Sequence, residues 1–231
     1  MKLFIVTGIS SGLGEKISEK LIDKKEKMIG IGRRFTDVQE LYALQNSNLL
    51  HLIKYDFGDS LGISKLEEQL KDILTAAYTK IIFINNAGVV EPIGKIGDLN
   101  DLDSINYHVN INYLTPLLMT NKLVELKRET TVLEIINISS GAAESPIPGW
   151  SLYCSTKKAM KIFLDILGKE RQNDIVIKHI DPGVMDTNMQ KSIRSTSVES
   201  FPLVEQFIGY EESGLLLTPD VVAARILKGY I

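Results

Sequence analysis

The chain has 231 residues, 44% of them hydrophobic, which suffices for one large core of the α/β kind. Its 26 basic and 29 acidic residues leave a formal charge of -3, which exerts no global pull toward nucleic acid or an anionic membrane. The single cysteine, Cys154, excludes an internal disulfide and a four-cysteine zinc site and fits a reducing compartment.

Short β-branched runs alternate with longer amphipathic stretches. In chain order, a strand at Leu3–Val6 leads to a helix at Gly12–Lys24, and a strand at Met28–Ile31 to a helix at Asp37–Gln45. A strand at Leu50–Tyr55 leads to a helix at Ile63–Ala77, and one at Ile81–Asn85 to a single long helix at Leu102–Leu126. Val132–Ile138 precedes a helix at Leu152–Arg171, and Ile175–Ile180 precedes the last helix, Pro219–Lys228. Most strands are apolar on both faces, as expected where helices cover each side of a sheet. Within Ser60–Tyr78, residues Ile63, Leu66, Leu70, Ile73 and Leu74 form one apolar stripe. Strict alternation implies a parallel sheet with right-handed crossovers, in one domain spanning residues 1–231. The longest irregular stretch, Pro182–Ser200, reads as a lid or a surface excursion. No signal peptide is recognisable, and no apolar run approaches the roughly 20 residues that span a bilayer. A cytoplasmic protein without a membrane partner is expected.

The first βα junction, TGISSGLG at Thr7–Gly14, fits two motifs. Gly8-Ile9-Ser10-Ser11-Gly12 matches G-x-S-x-G, the turn that presents a hydrolase's serine. Gly8, Gly12 and Gly14 also make a glycine-rich turn of the kind that holds a dinucleotide's phosphates. The hydrolase needs a histidine on a loop at the strand ends. His51 and His179 fall in predicted strands, His108 falls in the long helix, and no loop before the first strand is expected to supply oxyanion donors. A phosphate-binding P-loop fails too, because Leu13 and Gly14 follow Gly12 where Lys is required. The dinucleotide cradle fits: glycines turn tightly, and the helix N-terminus offers free N–H groups and partial positive charge to an anion.

Three later stretches support the cradle. After the second strand comes Gly30-Ile31-Gly32-Arg33-Arg34, without the acid that bonds a ribose 2′-hydroxyl. Arginine there suits a 2′-phosphate, hence NADP(H); the alternative is a solvated basic pair. In Asn85-Asn86-Ala87-Gly88, small residues let a dinucleotide lie against the backbone. In Tyr153-Cys154-Ser155-Thr156-Lys157 the phenol and the ammonium share one helix face. A phenol titrates near ~10, and an adjacent ammonium favours its ionised form, so the pair suits general acid–base work.

Taken together, TGISSGLG, IGRR, YDFGD, NNAG, NINYLTPLLMT, INISSG, YCSTK and DPGVMDT resemble the short-chain dehydrogenase/reductase family, in its order and over nearly the whole chain. Within that family the chain is most similar to the sepiapterin reductase-type branch, which includes bacterial benzil reductases forming (S)-benzoin. The resemblance implies a Rossmann-type doubly wound sheet with helices on both faces, six strands evident and the seventh truncated or missing.

It also implies roles. Tyr153 matches the catalytic tyrosine, Lys157 its lysine, Ser140 the serine that bonds the substrate carbonyl, and Asn112 the asparagine that anchors a relay water, with Asn110 as the competing choice. Gly8, Ser10, Ser11, Gly12, Leu13 and Gly14 match the phosphate turn, and Arg33 and Arg34 the 2′-phosphate site. Asp56 with Phe57 would meet the adenine, and Asn86, Ala87 and Gly88 its ribose. Pro182, Gly183, Val184 and Thr187 would hold the nicotinamide carboxamide, and Tyr153 and Lys157 also touch the cofactor. The substrate would lie against Ser140, Tyr153, Ile147, Trp150, Leu152, Met185 and Asn188, although Trp150 and Met185 read equally well as core. The implied activity is NADPH-dependent reduction of a ketone or 1,2-diketone, a small uncharged carbonyl substrate, with no metal. A homodimer or homotetramer through the two longest helices is implied; their apolar surplus fits a deeper monomeric core as well. A non-catalytic NADP-binding regulator and an NAD-linked dehydrogenase working oxidatively are the alternatives.

Overall fold

A computed structural model describes residues 1–59, 62–171 and 173–231. Six parallel strands form one sheet: β1 (Lys2–Thr7), β2 (Met28–Gly32), β3 (Leu50–Lys54), β4 (Lys80–Asn85), β5 (Val132–Ile138) and β6 (Ile175–Ile180), in the order β3-β2-β1-β4-β5-β6. The order reverses between β1 and β4. The crossovers that leave these two neighbours depart in opposite directions and open a crevice at their C-terminal ends.

Side-chain alternation divides the core in two. Leu3 and Ile5 of β1 face the helices α3 (Ile63–Leu74), α5 (Thr115–Leu126) and α6 (Ser151–Glu170). Phe4 and Val6 face α1 (Gly12–Asp23) and α9 (Pro219–Leu227) on the other side. Both layers are fully buried, so the strands read as continuous apolar runs. The helix α2 (Asp37–Gln45) opens with a reciprocal cap: the Gln39 N–H donates to Thr36 Oγ1 at 3.3 Å and the Thr36 N–H to Gln39 Oε1 at 2.9 Å. Glu134 of β5 is buried between Lys80 at 2.5 Å and Lys178 at 2.6 Å, and it accepts the hydroxyl of Tyr230, which ties the segment after α9 to the sheet.

Two expectations need correction. The single helix at Leu102–Leu126 is three pieces: α4 (Leu102–Val109), a π turn at Asn110–Leu114, and α5. Pro116 has no N–H to return to the carbonyl of Asn112 four residues earlier, so the regular ladder cannot pass this point. The stretch Pro182–Ser200 is not irregular throughout, because it contains α7 (Asn188–Arg194), and α8 (Val204–Glu212) follows it. Ser60, the start of the striped segment, lies outside the described residues. No helix among the described residues is long and apolar enough to cross a membrane.

The first turn of α1 lies directly on β1. A Cβ at Gly14 would come within 2.2 Å of the Gly8 carbonyl oxygen, a backbone atom that cannot move aside. Gly14→Ala is expected to lower the thermal midpoint by roughly 5–10 °C, measured by circular dichroism. An unchanged midpoint would show that the turn is softer than its packing implies.

Candidate active site

The crevice begins at the β1–α1 turn. Gly8 and Gly12 adopt φ of 71° and 60°, conformations open to glycine. Ser11 stands at the N-cap of α1 in extended backbone, yet its side chain caps nothing. The first N–H groups of a 12-residue helix therefore have no side-chain partner, which is the donor set an anion needs. Ser10 is no nucleophile: its hydroxyl donates to the Arg34 carbonyl at 2.7 Å and ties the turn to the loop after β2. Thr7 completes the joint. Its Oγ1 accepts the N–H groups of Asn86 at 2.9 Å and Ala87 at 3.0 Å, while Asn86 Nδ2 donates to the carbonyls of Thr7 at 2.9 Å and Gly8 at 3.3 Å. The Asn86 amide is thus a structural brace, although the residue still lines the crevice.

Farther out, Asp56 Oδ1 accepts the Gly58 N–H at 2.9 Å and the Tyr107 hydroxyl at 3.3 Å. Arg33 Nη1 donates to the same Tyr107 oxygen at 2.5 Å. Arg33 and Arg34 are exposed, and no acid stands with them after β2.

On the opposite wall, α6 carries Tyr153 and Lys157. Ser140, which caps the short 3-10 turn Gly141–Ala143, accepts the Ala142 N–H at 3.2 Å, and its side chain acts to hold the Tyr153 phenol's pKa down. Burial pushes the phenol up to about 12, against the opposing effect of Ser140. Burial lowers Lys157 to about 8, with Asp181 acting in the other direction. The expectation that Lys157 would draw the phenol's pKa down does not hold here. Lys157 Nζ donates to the Ile138 carbonyl at 2.9 Å and lies 5.7 Å from the centre of the phenol ring, so loss of water dominates both groups.

Asn112 lies behind this wall, 4% exposed and outside the cavity lining. Its Nδ2 donates to the Val89 carbonyl at 2.7 Å and to His108 Nε2 at 2.9 Å, and its Oδ1 accepts the Val89 N–H at 2.9 Å. The amide is engaged on both sides. Asn110 is occupied elsewhere, donating to Gly58. His108 is fully buried, and burial lowers its pKa, which keeps the ring neutral. With Nε2 accepting from Asn112, Nδ1 must carry the proton that it donates to the Glu91 carbonyl at 2.6 Å.

One cavity of about 750 Å³ joins these parts. Its lining includes the sequence-predicted Gly8, Ser10, Ser11, Gly12, Leu13, Arg33, Arg34, Asp56, Phe57, Ala87 and Gly88 at one end. At the other end it includes Ser140, Ile147, Trp150, Tyr153, Lys157, Pro182, Gly183, Val184, Met185, Thr187 and Asn188. Gly14 is packed beneath the turn, and Leu152 is not in the lining and is corrected as a substrate contact: it sits within α6 with its carbonyl holding Thr156. Trp150 is both core and wall, stacked on Phe201 at 4.7 Å and edge-on to Tyr153 at 5.3 Å. Asp181 and residues of α7 and α8, among them Gln190, Phe207 and Tyr210, were not anticipated from sequence. The glycine backbone, the uncapped α1 terminus and the basic pair fit an extended anionic dinucleotide, since a Cβ at Gly8 would meet the Ala87 Cα at 3.0 Å and intrude on the cradle.

Comparison with known proteins agrees with this geometry. Residues 2–198 match the family described as short chain dehydrogenase. The benzil reductase ((S)-benzoin forming) of Bacillus subtilis (strain 168) is 34% identical over 99% of this chain and 93% of its own. That of Bacillus cereus is 35% identical over 98% and 92%. The crystal structure of the KRED1-Pglu enzyme superposes with a TM-score of 0.84 at 27% identity, covering 99% of this chain and 94% of that one.

The buried ammonium has a consequence for stability. Lys157 falls from its usual 10.5 to about 8 on folding, so between those values the unfolded chain binds more protons and stability rises with pH. Its contribution is complete above the unfolded value and is lost as pH falls through the folded one. Tyr153, raised from 10.0, acts in the opposite sense only above that pH. From about pH 8 to 10 the urea midpoint of the free protein should therefore climb, and Lys157→Met should flatten the climb and be the more stable form at pH 7. Equal slopes for the two proteins would refute the assignment.

Proposed function

The chain belongs to the short-chain dehydrogenase/reductase family, and from that premise we propose that it is an NADPH-dependent reductase of ketones or 1,2-diketones bearing an aromatic group. One observation carries the reading: Ser140, Tyr153 and Lys157 converge on the same cavity as the uncapped helix terminus of α1. When bound, the reduced nicotinamide supplies the hydride. The α1 terminus and glycine turn would hold the pyrophosphate, and Arg33 and Arg34 the 2′-phosphate. The segment from Asp181 to Thr187 would steady the nicotinamide end.

The chain's own residues handle the carbonyl oxygen. Ser140 and Tyr153 both line the cavity, and the Ser140 side chain acts on the phenol. As negative charge grows on the oxygen, two aimed donors stabilise it without reorganisation. The raised pKa suits this task, because a phenol held near 12 is fully protonated at neutral pH and ready to give its proton. Lys157 would stabilise the phenolate left after transfer. A water held near Asn112 would then return a proton through Lys157 to Tyr153. Aromatic walls at Trp150 and Phe207 and relatives that are benzil reductases support an aryl ketone or diketone.

Tyr153→Phe should reduce kcat/KM by ~10²–10⁴ while NADPH binding, followed by nucleotide fluorescence, stays within a few-fold. Near-normal turnover would remove Tyr153 from the chemistry. Arg33→Asp should lower the NADPH-over-NADH ratio of kcat/KM by about 10- to 100-fold, the worth of a charge-assisted contact. An unchanged ratio would place the 2′-phosphate elsewhere.

A further inference from the structure

We propose that His108 is a positioning residue for the reduction: the lone pair of its Nε2 fixes which way the Asn112 amide faces, and through that amide sets the Gly88–Val89 backbone beside Lys157. The inference rests on the reductase reading above and adds to it a control by pH.

His108 stands near the C-terminal end of α4, fully buried where α4 meets α6. Its ring lies edge-on to Tyr153 at 6.4 Å. Its Nδ1 is 2.6 Å from the Glu91 carbonyl, and its Nε2 is 2.9 Å from Asn112 Nδ2 and 3.1 Å from Thr156 Oγ1. A carbonyl only accepts, so Nδ1 carries the hydrogen and Nε2 the lone pair. The Thr156 hydroxyl donates to the Leu152 carbonyl at 2.8 Å and leaves that lone pair to the amide.

The orientation of the amide matters because Asn112 holds Val89 at two points. Its Oδ1 accepts the Val89 N–H at 2.9 Å and its Nδ2 donates to the Val89 carbonyl at 2.7 Å. A Cβ placed on Gly88 would meet Asn112 Oδ1 at 3.2 Å and Lys157 Nζ at 3.5 Å. The amide, this glycine and the ammonium therefore gather at one point, and Gly88 and Lys157 both line the cavity. Thr7 fixes the start of the same stretch at Asn86 and Ala87, and Asn112 fixes its end. An inverted amide would set Oδ1 against the Val89 carbonyl and Nδ2 against the Val89 N–H, and both bonds would be lost. A neutral imidazole disfavours that inversion, because its lone pair would face an oxygen. An imidazolium favours it, because its Nε2–H needs an acceptor.

The groups around the ring decide when it charges. Burial is the largest influence and keeps its pKa below the ordinary 6.5. Lys157 on α6 acts in the same direction, while the main-chain groups of Glu91 and Leu152 and the Glu91 carboxylate oppose it. The Tyr153 phenol, pushed up to about 12, stays protonated throughout. The ring is thus neutral at neutral pH, and the amide control is released only on acidification.

The test uses the full-length protein with benzil and NADPH. The sequence has three histidines, so nitrogen NMR gives three sets of ring signals, and the set missing from His108→Gln belongs to His108. In the free wild type that set should report the Nδ1–H tautomer at neutral pH. As the ring protonates, hydrogen exchange at the Val89 amide should exceed that in His108→Gln at the same pH by about 10-fold or more, and kcat/KM should fall in step. His108→Gln keeps an acceptor toward Asn112 and gives up the Glu91 contact; His108→Asn keeps the Glu91 contact and gives up the acceptor. At neutral pH the first should hold kcat/KM within a few-fold and lack the acid limb. The second should lose about 10- to 100-fold, each protein being assayed well below its melting temperature. A limb set by the carboxylates of Asp181 or Glu91 would persist in His108→Gln. An Nε2–H tautomer, an acid limb unchanged in His108→Gln, or equal kcat/KM in the two variants overturns the proposal and leaves the reductase reading intact. No NADPH oxidation by the wild type defeats the reductase reading, and this inference with it.

Discussion

The hydroxyl of Thr7 sits where the two central strands end, and the geometry of the crevice follows from what it holds. It accepts two consecutive backbone N–H groups, those of Asn86 and Ala87, and donates to the Ile84 carbonyl at 3.4 Å. The Asn86 amide answers by donating to Thr7 and Gly8. The turn after β1 and the turn after β4 are therefore one hydrogen-bonded body at the point where the strand order reverses. With these bonds made, the N-terminus of α1 is aimed at fixed backbone rather than at a mobile loop, and the cradle is formed before any ligand arrives.

A second constraint is electrostatic. The phenol of Tyr153 and the ammonium of Lys157 are both held out of water, and burial moves each toward its neutral form. Neither result follows from their spacing. The spacing puts them on one helix face; the dielectric around that face decides their charge. The free protein stores a protonated acid and a weakened ammonium, an arrangement suited to giving a proton and to relaying one.

The strands were legible almost residue by residue, because helices on both sides demand apolar residues on both faces. The βα turn, the basic pair and the Tyr–Lys pair were legible too, since each depends on local spacing. The break at Asn110–Leu114 was hidden by apolar periodicity that runs unbroken through it, although Pro116 was the signal. Helix α7 was obscured by the Ser, Thr and Asn content of the stretch around it, yet the T-x-x-Q at its start matched the cap of α2. Tyr107 and His108 could not have been found. Their partners, Asp56 and Arg33 for the first, Glu91 and Asn112 for the second, are brought to them only by the folding of the sheet.

The clasp between Arg33 and Tyr107 would narrow what the outer end of the crevice gains from the proposed 2′-phosphate. The guanidinium is already engaged with a phenolic oxygen that itself leans on Asp56. On the proposed NADPH reading, a phosphate arriving there would displace that oxygen and trade one contact for another, and discrimination between phosphorylated and unphosphorylated nucleotides would come from the difference of two bonds. Loosening the phenol, far from the reacting carbon, would sharpen that choice without altering the arginine.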